Sequence, residues 1–216
     1  MPLFYQHVNE FAKIAIWHIE EEKKFFSEKV PLQREITHPH KQLQHLAGRY
    51  LLQFLYPDFP YHLIEIADTR KPYLPNEEYH FSISHCGDYA AVIISKEKRV
   101  GIDIELFSTK AEKVKYKFLN EEEQKKIVGF GLPDHGKPIY QSTDQPVNLS
   151  TLLWCCKEAV FKWYGYGEID FKKHINIKQI NPEEKIVECE FRKTDPLHFA
   201  IKYLFFDQLC MAFVIS

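Results

Sequence analysis

Between Arg99 and Glu105 the chain reads Arg-Val-Gly-Ile-Asp-Ile-Glu, with β-branched residues alternating with polar ones. A period of two marks a strand, and this strand constrains what surrounds it. Side chains alternate across a strand, so Ile102 and Ile104 need a core on one side while Asp103 and Glu105 share the other. Two carboxylates about 7 Å apart on one strand face repel each other unless a cation lies between them. A hard divalent cation such as Mg²⁺ suits that position, because it takes oxygen ligands and keeps waters and substrate phosphates as partners. Gly101 would let a backbone or a ligand come close. The stretch reads equally well as a solvated strand edge with two ordinary surface acids, and alone it does not choose.

At 216 residues the chain is one large domain or two small halves, long enough to bury roughly 70% of its unfolded surface. A hydrophobic content of 45% with 15% aromatic residues is globular and not disordered. The net charge of −2 gives no global field that would draw the chain to nucleic acid or to an anionic membrane. Neither is expected as a partner, and any bound anion must be held by local Lys and Arg. Five cysteines, none in a C-x-x-C pair, do not form a disulfide framework and fit a reducing cytoplasm. The opening residues lack a basic region followed by an apolar core, so no signal peptide is expected. No run approaches the ~18 apolar residues of a membrane span.

Taken in order, Lys13 to Ile19 reads as an opening strand, and Glu20 to Lys29 as a charged helix that buries Phe25 and Phe26 and is broken by Pro31. From Pro39 to Tyr56, Leu43, Leu46, Tyr50 and Phe54 recur at three- and four-residue steps, the pattern of an amphipathic helix. Arg49 lies on that helix, either as an exposed cation or as an anion contact. Leu63 to Ala67 is a short strand, and Asp68 to Tyr73 a polar, cation-rich turn. Tyr79 to His85, Tyr89 to Ser95 and the Val100 strand read as a β-meander. Lys110 to Phe118 and Asn120 to Val128 read as helices, Asn120 being an N-cap with Glu121, Glu122 and Glu123 in the first turn. Gly129 to Ser150 is rich in Gly and Pro and reads as a long loop. A helix then runs from about Thr151 to Tyr164, ended by Gly165 and Gly167. Strands at 175–180, 186–191, 198–205 and 209–215 form a second meander. Each half thus presents helix before strands, with a boundary near Phe107. The 11 histidines are scattered, and none form a H-E-x-x-H zinc helix.

The second chemical constellation is Trp154, Glu158 and Lys162, spaced i, i+4, i+8 along one helix. A Glu and Lys at that spacing are commonly surface support, but a Trp prefers burial and draws the stripe towards the interior or a cleft. If this helix packs across the Val100 strand, Asp103, Glu105 and Glu158 converge on a three-carboxylate Mg²⁺ site, and Lys162 stands one turn further on, placed to meet a phosphate.

Val-Gly-Ile-Asp-Ile-Glu at 100–105, followed by Trp-x-x-Lys-Glu-Ala-x-x-Lys at 154–162, resembles the 4′-phosphopantetheinyl transferase family. The pair at this spacing is specific where either motif alone is weak. Arg70-Lys71-Pro72-Tyr73 is similar to the family's Lys-Pro segment, and Phe81-Ser82-Ile83-Ser84-His85 to its Phe-Asn/Ser-x-Ser-His segment. Lys117-Phe118-Leu119-Asn120-Glu121-Glu122-Glu123 resembles its Arg-Phe-Phe-x-x-x-Glu stretch. Length favours the long, pseudo-dimeric class typified by activators of surfactin synthetase over the short class that trimerises.

The resemblance implies an α+β fold of two similar halves related by pseudo-twofold symmetry, here 1–106 and 107–216, with the active site between them. It implies a monomer, since two halves in one chain complete a site that shorter relatives share between subunits. The implied reaction moves the 4′-phosphopantetheine arm of coenzyme A onto a serine of an apo acyl or peptidyl carrier protein, releasing adenosine 3′,5′-bisphosphate. Carried over by position, Asp103, Glu105 and Glu158 hold Mg²⁺, with Mn²⁺ as the alternative. Glu158 or a metal-bound water is the base, and Lys162 neutralises or protonates the leaving phosphate. Lys71, Ser84, His85 and Arg49 bind the nucleotide part of coenzyme A, Arg49 resting on its helix position and not on a motif. Lys157 belongs to the motif, but a helix turns it about 100° from Glu158. The long loop departs from the family and bears on carrier choice. Lys113, Lys115, Lys117, Lys125 and Lys126 form either a basic docking patch or a solvated helix face. The competing readings are a Mg²⁺-dependent pyrophosphate or phosphodiester hydrolase and a non-catalytic coenzyme A-binding module.

Overall fold

The computed structural model describes residues 2–32, 35–130 and 149–216, and for 126–130 the backbone alone. The chain divides into two units, Met1–Ile104 with Ile215–Ser216, and Glu105–Val214. Both set helices against antiparallel sheet, which makes the protein α+β, as expected from its sequence.

The first unit contains β1 (Leu3–Val8), β2 (Lys13–His18), α1 (Lys23–Ser27) and α2 (Pro39–Leu55). These are followed by the short strands β3 (Glu65–Ile66) and β4 (Pro72–Tyr73), then by β5 (His80–Cys86), β6 (Tyr89–Ser95) and β7 (Val100–Leu106). Its sheet has the order β1-β2-β6-β5. β6 is central and nearly continuous in apolar residues, with Ala90 to Ile94 fully buried, as expected of a strand covered on both faces. Pro39 opens α2 with its fixed φ at a position where no N–H is needed. The core face of α2 is Leu46, Ala47, Leu51, Leu52 and Leu55, packed with Trp17, Phe26, Phe59 and Phe81. Gly48 sits where α2 presses on β5: a Cβ there would lie 2.8 Å from the Ile83 methyl Cγ2, so no larger residue fits without a shift.

Two features of this unit differ from the sequence reading. A strand, β1, precedes the one expected to open the fold; it pairs with β2 as an edge, and Phe4 and Val8 remain exposed. The expected meander stops at β6, because the two edges of β6 are taken by β5 and β2, so β7 has no place beside it.

The second unit begins within β7 and continues through α3 (Thr109–Phe118), α4 (Glu121–Phe130), α5 (Leu149–Tyr164) and α6 (Phe171–His174). Its last strands are β8 (Ile175–Asn181), β9 (Ile186–Phe191), β10 (Leu197–Phe205) and β11 (Leu209–Ile215), each antiparallel to the next. β10 alternates as its sequence predicts, with Phe199, Ile201 and Tyr203 buried and His198, Ala200 and Lys202 exposed. α5 buries Leu152, Leu153, Cys155, Cys156, Ala159 and Val160 against that sheet. It ends where Gly165 adopts φ 77°, a conformation that favours glycine. The expected long loop falls almost wholly at 131–148, outside the described residues. No helix among the described residues is long and apolar enough to cross a membrane.

Candidate active site

β7 carries the first pair of acids. Val100 to Ile104 are buried and Glu105 is half-buried. Asp103 is only 4% exposed, and an ionised carboxylate so deep needs partners. Ser84 supplies one: its hydroxyl donates to Asp103 Oδ1 at 2.7 Å. Ser84 Oγ in turn accepts from the Ile104 N–H at 3.3 Å, and Ser82 Oγ accepts from the Ile102 N–H at 3.2 Å.

Glu105 has a different partner. The Trp154 indole N–H donates to Glu105 Oε1 at 3.0 Å. The indole is itself held between Phe118 and Phe171, ring centroids 5.0 and 5.6 Å away. Trp154 begins the α5 stripe that continues through the half-buried Glu158 and Lys162, so Glu105 is fastened to the helix face that carries both. A buried indole has one N–H and needs an acceptor. That rule is the signal in the sequence for this bond.

Lys157, the motif's other lysine, faces the interior. It is fully buried, with Nζ 2.7 Å from Glu123 Oε2 and 2.9 Å from the carbonyl oxygens of Phe118 and Phe171. Burial pushes its pKa down, against the pull of Glu123. Glu123 is equally enclosed. It accepts from the Asn120 N–H and the Ile177 N–H, while Asn120 Oδ1 accepts from the Glu123 N–H. This reciprocal capping box fixes the acid that holds Lys157.

The remaining site residues expected from the sequence lie in the first unit. His85 is exposed on β5 and Lys71 is half-buried beside β4. Burial, aided by repulsion from Arg99, lowers the Lys71 ammonium from its ordinary range to about 8. Arg49 is only 3% exposed on α2, where its backbone carbonyl accepts from the Tyr61 hydroxyl.

The family model described as the 4′-phosphopantetheinyl transferase superfamily matches residues 99–214, more than half of the chain and both motifs. The chain belongs to this superfamily. The 4′-phosphopantetheinyl transferase AcpT of Escherichia coli (strain K12) is 29% identical over 120 residues, 56% of this chain and 56% of that protein. Enterobactin synthase component D of the same organism is 33% identical over 95 residues, 43% of this chain and 45% of that protein. The chain spans about half the length of the relatives it matches.

For a superfamily member, the acids raise the question of a metal. Carboxylate oxygens on Asp103, Glu105 and Glu158 have the donor chemistry of a hard cation. No group of three or more His, Cys, Asp or Glu is drawn together as a metal centre among the described residues. Mg²⁺ does not require one, since it is usually held by one or two carboxylates together with substrate phosphates. Thiol chemistry has little support. The five cysteines form no disulfide, four are buried, and burial raises the Cys189 thiol to about 12. Of the lysines expected as a patch, Lys113, Lys117 and Lys125 are exposed and Lys115 is paired with Glu112. The Lys126 side chain lies outside the described residues.

Proposed function

We propose that the protein transfers the 4′-phosphopantetheine group of coenzyme A to a serine hydroxyl of an apo acyl or peptidyl carrier protein, leaving adenosine 3′,5′-bisphosphate. The observation that carries this reading is the Trp154–Glu105 hydrogen bond. It joins the two motifs, distant in sequence, and brings an acid of β7 to the helix face of Glu158 and Lys162. A family match alone would not require those residues to meet.

In the proposed reaction the serine oxygen attacks the phosphorus that bears the pantetheine arm. A new P–O bond forms, and the bond from that phosphorus to the bridging pyrophosphate oxygen breaks. The serine proton passes to Glu158, and the bridging oxygen leaves on adenosine 3′,5′-bisphosphate, its charge met by Lys162. Asp103, Glu105 and Glu158 supply carboxylates to Mg²⁺, with Mn²⁺ as the alternative ion. When bound, the cation offsets charge on the pyrophosphate oxygens as the bond breaks. Lys71 supplies positive charge and His85 a ring nitrogen for the nucleotide phosphates, contacts that a chain of net charge −2 must gather locally.

The test is the intact mass of an apo carrier protein after incubation with this protein, coenzyme A and Mg²⁺, with an EDTA control. The expected result is a metal-dependent phosphopantetheine adduct. Metal-dependent loss of coenzyme A with every carrier left unmodified would instead identify a hydrolase, and no change in either would leave a binding module.

A further inference from the structure

The family resemblance gives Ser84 to the nucleotide part of coenzyme A, but the bonds its hydroxyl makes point elsewhere. The side chain is only 4% exposed. Its one O–H is directed at Asp103 Oδ1, at 2.7 Å, within the short range of a hydroxyl bound to a carboxylate. One of its two lone pairs takes the Ile104 N–H. Ser82, two residues earlier on the same strand, accepts from the Ile102 N–H in the same way. The step of two on β5 therefore matches a step of two on β7. β5 is the last strand of its sheet, its other edge being paired with β6. Serine hydroxyls take the β7 amides in place of backbone carbonyls. Of the two serines, the one opposite Asp103 also grips the carboxylate.

We propose that Ser84 is a positioning residue for Asp103. It holds the carboxylate in one orientation, and holds β7 in the register that presents it, so that the acid is ready for the divalent cation. The inference rests on the transferase reading, in which Asp103 is a metal ligand. Outer-shell hydrogen bonds to ligating side chains typically contribute 10–100-fold in metal affinity, and this bond is buried and charge-assisted.

Two measurements separate the roles: Mn²⁺ binding by electron paramagnetic resonance with saturating coenzyme A, and coenzyme A binding by calorimetry in EDTA. Ser84→Ala should weaken Mn²⁺ by about 10–100-fold and leave metal-free coenzyme A binding within about twofold of wild type. Ser84→Thr, which keeps the hydroxyl, should recover most of the Mn²⁺ affinity. Ser82→Ala, which removes an amide bond to β7 but no bond to Asp103, should stay near wild type. Should Ser84→Ala fail to fold, Ser84→Cys keeps the volume, weakens the donor and is read in the same way. Loss of coenzyme A binding in EDTA with Mn²⁺ binding intact would overturn the proposal and make Ser84 a ligand contact. Equal Mn²⁺ losses in the Ser82 and Ser84 variants would overturn it too, reducing both serines to strand register. A wild-type protein that binds no Mn²⁺ overturns the metal reading itself, and the Ser84 role with it.

Discussion

Lys71 carries a charge that is sensitive to pH just above neutrality. Burial and Arg99 hold its ammonium at about 8, so it is charged below that pH and neutral above it. If it meets a coenzyme A phosphate, affinity should fall as pH rises through about 8, since phosphate itself stays fully ionised above its second pKa of about 6. Lys71→Arg keeps its charge throughout, because guanidinium titrates above about 12. Calorimetric titration between about pH 7 and 9.5 should show a falling affinity for wild type and a flat one for Lys71→Arg. A flat wild-type profile would remove Lys71 from the phosphate contacts. The type of these residues was legible in the sequence, and much of their setting was not. Alternation placed Asp103 and Glu105 on one strand face, and helical spacing put Trp154, Glu158 and Lys162 on one stripe. Which hydroxyl meets Asp103 and which acid meets the Trp154 indole depends on tertiary contact across 19 and 49 residues of chain, a distance that no local periodicity spans.

Among the elements, α5 is fixed by one internal cation. Lys157 reaches the C-terminal end of α3 through the Phe118 carbonyl, α4 through Glu123 and the start of α6 through the Phe171 carbonyl. Four helices of the second unit are thus tied at a single ammonium. Removing one partner of a buried ion pair costs about 3–5 kcal/mol, because the other charge is left uncompensated. In a chain of this size each kcal/mol moves the melting temperature by about 2–4 °C. Lys157→Met should therefore lower Tm by roughly 6–20 °C, followed by circular dichroism. Adding Glu123→Gln, which removes the stranded charge, should restore part of it. A change of only a degree or two would mean that the pair does not hold the helices. The elements themselves were largely legible, because periods of two and 3.6 survive in the sequence: α2, β5, β6, β9 and β11 lie within a residue or so of their expected limits. β1 was missed because its exposed aromatic and polar residues leave no buried face to read. α6 was missed because four residues are too few to show a helical period. The departure of β7 from the meander was hidden because pairing partners are decided by which edges remain open, a property of the assembled sheet.

At the scale of the whole molecule, charge sets the terms on which a polyanion can bind. A net charge of −2 offers coenzyme A no long-range attraction, and the acids of β7 and α5 would repel its pyrophosphate. Binding in the proposed reaction must therefore come from a few local cations together with the divalent ion. A ligand that binds only the folded state stabilises it by about 2.7 kcal/mol at a hundredfold excess over Kd, which for a protein of this length is about 5–10 °C in Tm. Coenzyme A with Mg²⁺ should raise the melting temperature by that amount, and EDTA should remove most of the gain even with coenzyme A present. Mg²⁺ alone should do much less, since the phosphates that complete its coordination are absent. Thermal melts in the four combinations of ligand and metal read this directly. An equal rise with coenzyme A in EDTA would show that lysines and histidine suffice and that the carboxylates have another use. No rise in any combination would remove coenzyme A as the ligand, and the transferase reading would fail with it.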